Sequence, residues 1–108
     1  MLKKKNRADK KDIDFLFKKG KFFNLPNLTF KYSIESKSSF PRISFVAPKS
    51  VAKLAVKRNL LLRKGYSVLK NYINQFPKGI LGVFVFKKHQ EDISIIENEI
   101  KSVLSKIN

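Results

Sequence analysis

The chain has 108 residues, of which 43% are hydrophobic and 12% aromatic, enough for one domain with one modest core and too apolar for a disordered basic tail. It has no cysteine and a single histidine, which excludes a disulfide framework, a thiol nucleophile and a Cys or His metal cluster, and its apolar runs fall far short of the ~20 residues that cross a bilayer. Lys and Arg number 24 against 8 Asp and Glu, a net charge of +16, and the twelve cations between Ser36 and Gln90 meet no acid there. A block of one sign implies a polyanionic partner, with nucleic acid ahead of an anionic membrane surface. The basic start MLKKKNRADKK lacks the apolar segment of a secretory signal, so the expected compartment is the cytoplasm.

Residues 1–8 read as a flexible arm carrying Lys3, Lys4, Lys5 and Arg7. Asp9 is a suitable N-cap for a first helix that runs to Lys19 and stops at Gly20. Ile13, Leu16 and Phe17 share its apolar face, and Phe15 points elsewhere. Phe17 has two readings, core packing or a base-stacking surface at a groove rim. A short strand is expected over 21–23 and a turn around Pro26. Residues 28–35 alternate, with Leu28, Phe30, Tyr32 and Ile34 on one side and Thr29, Lys31 and Ser33 on the other. Residues 36–39 read as a hairpin loop, and 42–47 as the next strand, ended by Pro48.

The longest helical pattern covers 51–73. Val51, Leu54, Ala55, Leu61, Leu62, Val68, Leu69, Tyr72 and Ile73 form its apolar arc. Lys53, Lys57 and Lys64 fall opposite, and Arg63 and Lys70 form a third strip. Arg58 falls inside the arc, where a guanidinium is costly unless it is paired or opens onto a cleft. Gly65 costs ~1 kcal/mol relative to Ala in a helix. Together they suggest a helix that packs on a sheet and borders a groove; the plain alternative is an amphipathic helix with a solvated lysine face. Phe76-Pro77 breaks the pattern. Residues 80–86, ILGVFVF, read as a strand buried on both faces. The last helix, 91–107, turns Ile93, Ile96, Ile100, Val103, Leu104 and Ile107 to the core. The fold class is α+β, a sandwich of order α-β-β-β-α-β-α with helices on a small sheet.

No catalytic constellation stands out. The chain lacks a Gly-rich phosphate loop, clustered carboxylates and a nucleophile–His pair. His89, beside two lysines with no carboxylate at motif spacing, reads as a surface loop residue. A reaction involving this chain would have its reactive centre on the partner.

The run Ala55-Val56-Lys57-Arg58-Asn59, followed by Arg63-Lys64, resembles the A-x-x-R-N-R-x-K-R signature of the bacterial ribonuclease P protein component. DIDFLFKKG (residues 12–20) is similar to that family's first helix, and RISFVAPK (42–49) to the strand leading into the signature. The resemblance covers nearly the whole chain. It departs at Leu60, Leu62 and Tyr66, where the family pattern is basic, at Ile13, where it is aromatic, and at the Pro48-Lys49-Ser50 turn. It implies a ribosomal-protein-like fold with a left-handed βαβ crossover, binding to ribonuclease P RNA and to the 5′ leader of precursor tRNA, and removal of that leader by an RNA active site whose Mg2+ the RNA chiefly holds. The protein itself would hold no cofactor and act on no small molecule. Carried over by position, Lys49, Lys53, Lys57, Arg58, Asn59, Arg63 and Lys64 would contact the catalytic RNA, and Ile13, Phe17, Lys31 and Tyr66 would line the leader groove, with core packing the other reading of Tyr66 and a solvated strand lysine that of Lys31. Another structural RNA-binding protein, such as a ribosomal protein of similar fold, is the main alternative. A membrane-surface protein and a stand-alone nuclease fit less well, since the helix's apolar face is needed for the core and carboxylates are scarce.

Overall fold

Helix α1 spans Lys10–Lys19 in a computed structural model that describes residues 2–34 and 39–107. A reciprocal capping box starts it: the Asp12 N–H donates to the Asp9 carboxylate at 2.9 Å, and the Asp9 N–H to the Asp12 carboxylate at 3.0 Å. Gly20 ends it with ordinary negative φ (−74°), so no left-handed cap is involved. Glycine is needed there for space, because a Cβ would sit 2.7 Å from the Leu16 carbonyl oxygen.

Strands β1 (Lys21–Asn24) and β2 (Leu28–Ser33) form an antiparallel hairpin around Pro26. Strand β3 (Arg42–Val46) leads through residues 47–54 to α2 (Ala55–Leu69), followed by β4 (Leu81–Phe86) and α3 (Ile93–Ile107). The sheet order is β1-β2-β4-β3, with β4 antiparallel to β2 and parallel to β3. The hairpin expected at 36–39 is therefore corrected: β4 lies between β2 and β3. Residues 35–38 lie outside the described residues. An almost wholly apolar strand gains most when both faces are covered and both edges paired, which is the place β4 takes.

The pleat sorts side chains between two layers. Leu28, Phe30, Ile43, Phe45, Phe84 and Phe86 meet Leu61, Val68 and Leu69 of α2 and Ile96, Ile100, Val103 and Leu104 of α3. On the opposite face Leu81 and Val83 pack under Leu16 of α1 and Ala8. The expected α+β sandwich is thus formed, with one helix on one side of the sheet and two on the other. Among the described residues no helix is long and apolar enough to cross a membrane.

Three expectations change. The segment 2–8 is packed rather than free. Leu2 is buried, residues Lys4–Asn6 make a 3-10 turn, the Asn6 side-chain amide donates to the Pro41 carbonyl at 2.9 Å, and the Ser44 hydroxyl to the Ala8 carbonyl at 2.7 Å. Helix α2 is shorter than 51–73. Pro48 starts a turn whose carbonyl accepts from Val51 and Ala52 N–H, and a separate 3-10 turn holds Ile73–Gln75. The last helix begins at Ile93, not at residue 91, and holds a buried acid absent from the expected core: the Glu99 carboxylate accepts from Asn27 N–H (3.1 Å), the Asn27 side-chain amide (2.6 Å) and Leu28 N–H (3.0 Å). Those three donors hold the β1–β2 turn against α3.

Candidate nucleic-acid interface

The sequence of α2 divides its surface, and the fold gives each part a neighbour. Leu61, Gly65, Val68 and Leu69 face the core. Gly65 has a steric reason: a Cβ there would lie 2.8 Å from the Phe45 ring. Leu54, placed in the apolar arc by periodicity, is instead 63% exposed, because the chain is not yet helical at that point. No side chain caps this end of α2 and no acid lies in its first turn, so its free N–H groups and positive dipole end join Lys49, Lys53 and Lys57, all exposed. Such an end favours an anion such as a phosphate.

Arg58 is half-buried and folds back on the entry loop. Its Nη1 donates to the carbonyls of Ala52 (3.0 Å) and Lys53 (2.7 Å). The cost of a guanidinium near the core is thus offset by two backbone acceptors, and the loop is held open in front of the helix. Arg58 keeps further donors beyond the two used, since a guanidinium has five.

Lys57 and Lys64 lie on the side of α2 that approaches the lead-in to α3. His89 is an exposed loop residue, as read from the sequence, and it meets a carboxylate two residues on: its Nε2 is 2.5 Å from Glu91 Oε2. That hydrogen bond, with the charges of His89, Lys57 and Lys64, holds the Glu91 carboxyl below its usual range. The pairing is made over two residues of loop, outside both β4 and α3.

The strip with Asn59 and Arg63 faces the N-terminal segment. Between them lies a cavity of about 460 Å³ lined by Arg7, Val56, Asn59, Leu62, Arg63 and Tyr66. Tyr66, expected in the leader groove, is 5% exposed. Its hydroxyl accepts the Phe45 N–H at 3.0 Å at the outer edge of β3, and the Arg7 guanidinium covers its ring at 4.9 Å. Further along the same junction Lys3, Lys5, Lys70 and Asn74 line a second hollow. The contribution of Arg7 and Lys70 was not visible in the signature run, because it depends on how the first residues pack.

A groove of different make lies on the α1 face. Phe17 is 46% exposed, and the Lys31 ammonium sits 5.0 Å from its ring centroid, so the core reading of Phe17 gives way to the surface one. Phe22, 59% exposed, is directly opposite Lys31 in the β1–β2 register and therefore on the same face. Its alternation with buried-side Phe23 was the available signal. Beyond this row come Thr29, Val85 and Val46, adjacent in register and only partly covered. Ile13 is half-buried against Leu16, Leu81 and Val83, at the base of α1 rather than at the open rim. The structure thus joins Phe17 and Lys31. It does not bring Tyr66 to them, since Tyr66 meets β3, two strands away from β2. On the other flank of α1, Phe15, Lys19, Lys21, Tyr32, Ser33 and Ile34 line a separate hollow.

A family model described as Ribonuclease P matches residues 1–108. Among solved structures, the chain is similar to the RNase P protein from Thermotoga maritima, with a TM-score of 0.81, 19% identity and coverage of 94% of this chain and 97% of that one. It is likewise similar to the Staphylococcus aureus RNase P protein, with a TM-score of 0.79, 16% identity and coverage of 98% and 100%. At such identities the structural likeness speaks to the fold. No curated protein sequence matches the chain.

Proposed function

The chain belongs to the ribonuclease P protein family, a subunit of an RNA-processing enzyme with an RNA partner, and from that premise we propose that the partner is the catalytic RNA of ribonuclease P and the substrate precursor tRNA. The observation that carries this reading is the family match over all 108 residues. The alternative of another structural RNA-binding protein is not favoured by it.

In this reading the exposed end of α2 meets the catalytic RNA. Lys49, Lys53, Lys57, Arg63 and Lys64 supply charge to phosphates, which makes affinity fall steeply with salt. Asn59 offers directed hydrogen bonds, and Arg58 positions the entry loop while keeping N–H donors for the RNA. Phe17, Phe22 and Lys31 form a stacking floor with a cation, suited to a single-stranded 5′ leader of varied sequence. Among the described residues no three acids or histidines gather where they could hold a metal ion. Magnesium ions, held chiefly by the RNA, would supply the hydrolytic chemistry there, with the protein binding and orienting both RNAs in the cytoplasm.

The test is cleavage of precursor tRNA by a ribonuclease P RNA at low magnesium, with and without the protein. Restoration of correct 5′ cleavage, with none by the protein alone, is the expected result. A folded cognate RNA that gains nothing from the protein would sink the reading.

A further inference from the structure

We propose that the hollow between the N-terminal segment and α2 is a nucleobase pocket, which takes one unpaired base of the RNA that α2 meets. The inference rests on the reading of α2 as an RNA-binding helix and adds a ligand class to it.

The lining has the composition a base requires. Val56 is 66% exposed, yet α2 meets the core through Leu61, Gly65, Val68 and Leu69 and has no packing need for it. With Leu62 it makes an apolar floor beside two guanidinium groups. The Arg7 guanidinium carbon lies over the Tyr66 ring, 4.9 Å from its centroid. A guanidinium is planar, and the side turned away from Tyr66 offers a stacking surface for a flat base. Asn59 presents an amide with both donor and acceptor capacity to read a base edge, and Arg63 meets the adjoining phosphate.

Two further observations suit a nucleic-acid occupant. Among the described residues no acid lines the hollow, so a polyanion is the complementary partner. The platform is also held in place before binding: the Arg7 N–H donates to the Lys4 carbonyl at 3.1 Å, and the next residue's carbonyl is fixed by Ser44 at 2.7 Å. Little ordering is then required on binding. Of the three positions at which the signature departs from a basic pattern, Leu60, Leu62 and Tyr66, the last two lie in this lining. This chain exchanges phosphate contacts there for base stacking.

The experiment is methyl and amide NMR on the full chain, titrated with penta-adenylate and with an abasic tetrahydrofuran-phosphate oligomer of the same length. Upfield shifts of the Val56 and Leu62 methyl resonances with penta-adenylate but not with the abasic oligomer are expected, since only a base carries a ring current. Arg7→Lys keeps the charge and removes the plane, and should weaken the base-dependent shifts by about 5- to 150-fold in apparent affinity, the range a single base stack is worth. Leu62→Lys, which fills the floor with a charged chain, should abolish them, and the amide spectrum verifies that both variants fold. Equal shifts with both oligomers, or no shift at the two methyl groups, would overturn the pocket. If the shifts are absent while the protein still stimulates precursor-tRNA cleavage, the pocket alone falls. If they are present and stimulation fails, the pocket stands and the ribonuclease P role falls.

Discussion

Gly65→Ala tests how α2 is seated, because two effects of opposite sign meet at that residue. Helix propensity alone favours alanine by ~1 kcal/mol in the interior of a helix. Against this, the new Cβ would lie 2.8 Å from two atoms of the Phe45 ring, a separation that forces movement. The ring has nowhere cheap to go. It stacks on Phe84 at 5.1 Å between centroids, leans on Phe86 at 5.8 Å and meets the edge of Tyr66 at 5.4 Å, while its own N–H is tied to the Tyr66 hydroxyl at 3.0 Å. Overpacking of this kind costs ~1–3 kcal/mol, so the net expectation is a destabilisation of about 1 kcal/mol. For a domain of this size that corresponds to a fall in Tm of roughly 4–8 °C. Urea unfolding followed by circular dichroism at 222 nm would measure it. In a Phe45→Leu background the same change should become neutral or stabilising, because the ring is gone. A stabilisation of ~1 kcal/mol by Gly65→Ala in the parent chain, as propensity alone gives, would refute the steric account of this glycine.

Other outcomes can be stated more briefly. Glu99→Ala removes the acceptor of three donors in and around the β1–β2 turn, and should cost about 3 kcal/mol in urea unfolding; a loss under ~1 kcal/mol would show that water replaces the carboxylate. Phe17→Ala should weaken binding of a single-stranded leader oligonucleotide by ~1–3 kcal/mol and leave stability nearly unchanged; a large fall in Tm with intact binding would return Phe17 to the core. Lys57→Ala should lower the slope of log K against log salt for RNA binding by about 1, and an unchanged slope would remove this lysine from the phosphate contacts. Asp9 has its carboxyl lowered below 3.8, first by the Asp12 N–H it accepts. A lowered carboxyl stabilises the fold above the unfolded value and loses that contribution as pH falls through the folded one. The α1 capping box should therefore weaken only below about pH 4, and Asp9→Asn should blunt the acid dependence of stability at that end of the range. Identical acid profiles for the two chains would contradict it.

The order of elements was legible because its signals are local. Asp9 before an apolar helical pattern, Pro26 between two strand runs and Phe76-Pro77 after a long helix act within a few residues of themselves. The candidate site was legible in part for the same reason. The lysines at 53 and 57 stand on an exposed turn whatever they later bind, and Phe17 with Lys31 needed only their helix and strand faces to become candidates. Tyr66 was carried over by position, which does not report the strand a side chain meets, and its core reading is the one the structure holds. Leu54 was misplaced because it is the extended residue just ahead of α2, where helical periodicity does not yet apply.

By itself, then, the sequence determined the α+β class, the buried strand ILGVFVF, the basic helix and the resemblance that the family match bears out. Tertiary structure alone decided what pairs across long separations. It set β4 between β2 and β3, joined Asn27 to Glu99 over 72 residues, tied Asn6 to Pro41 over 35, and laid Arg7 on Tyr66. Propensity and periodicity act over one or two turns of chain, whereas these contacts depend on burial of Leu2 and of the sheet faces, and burial is settled only when the whole core closes.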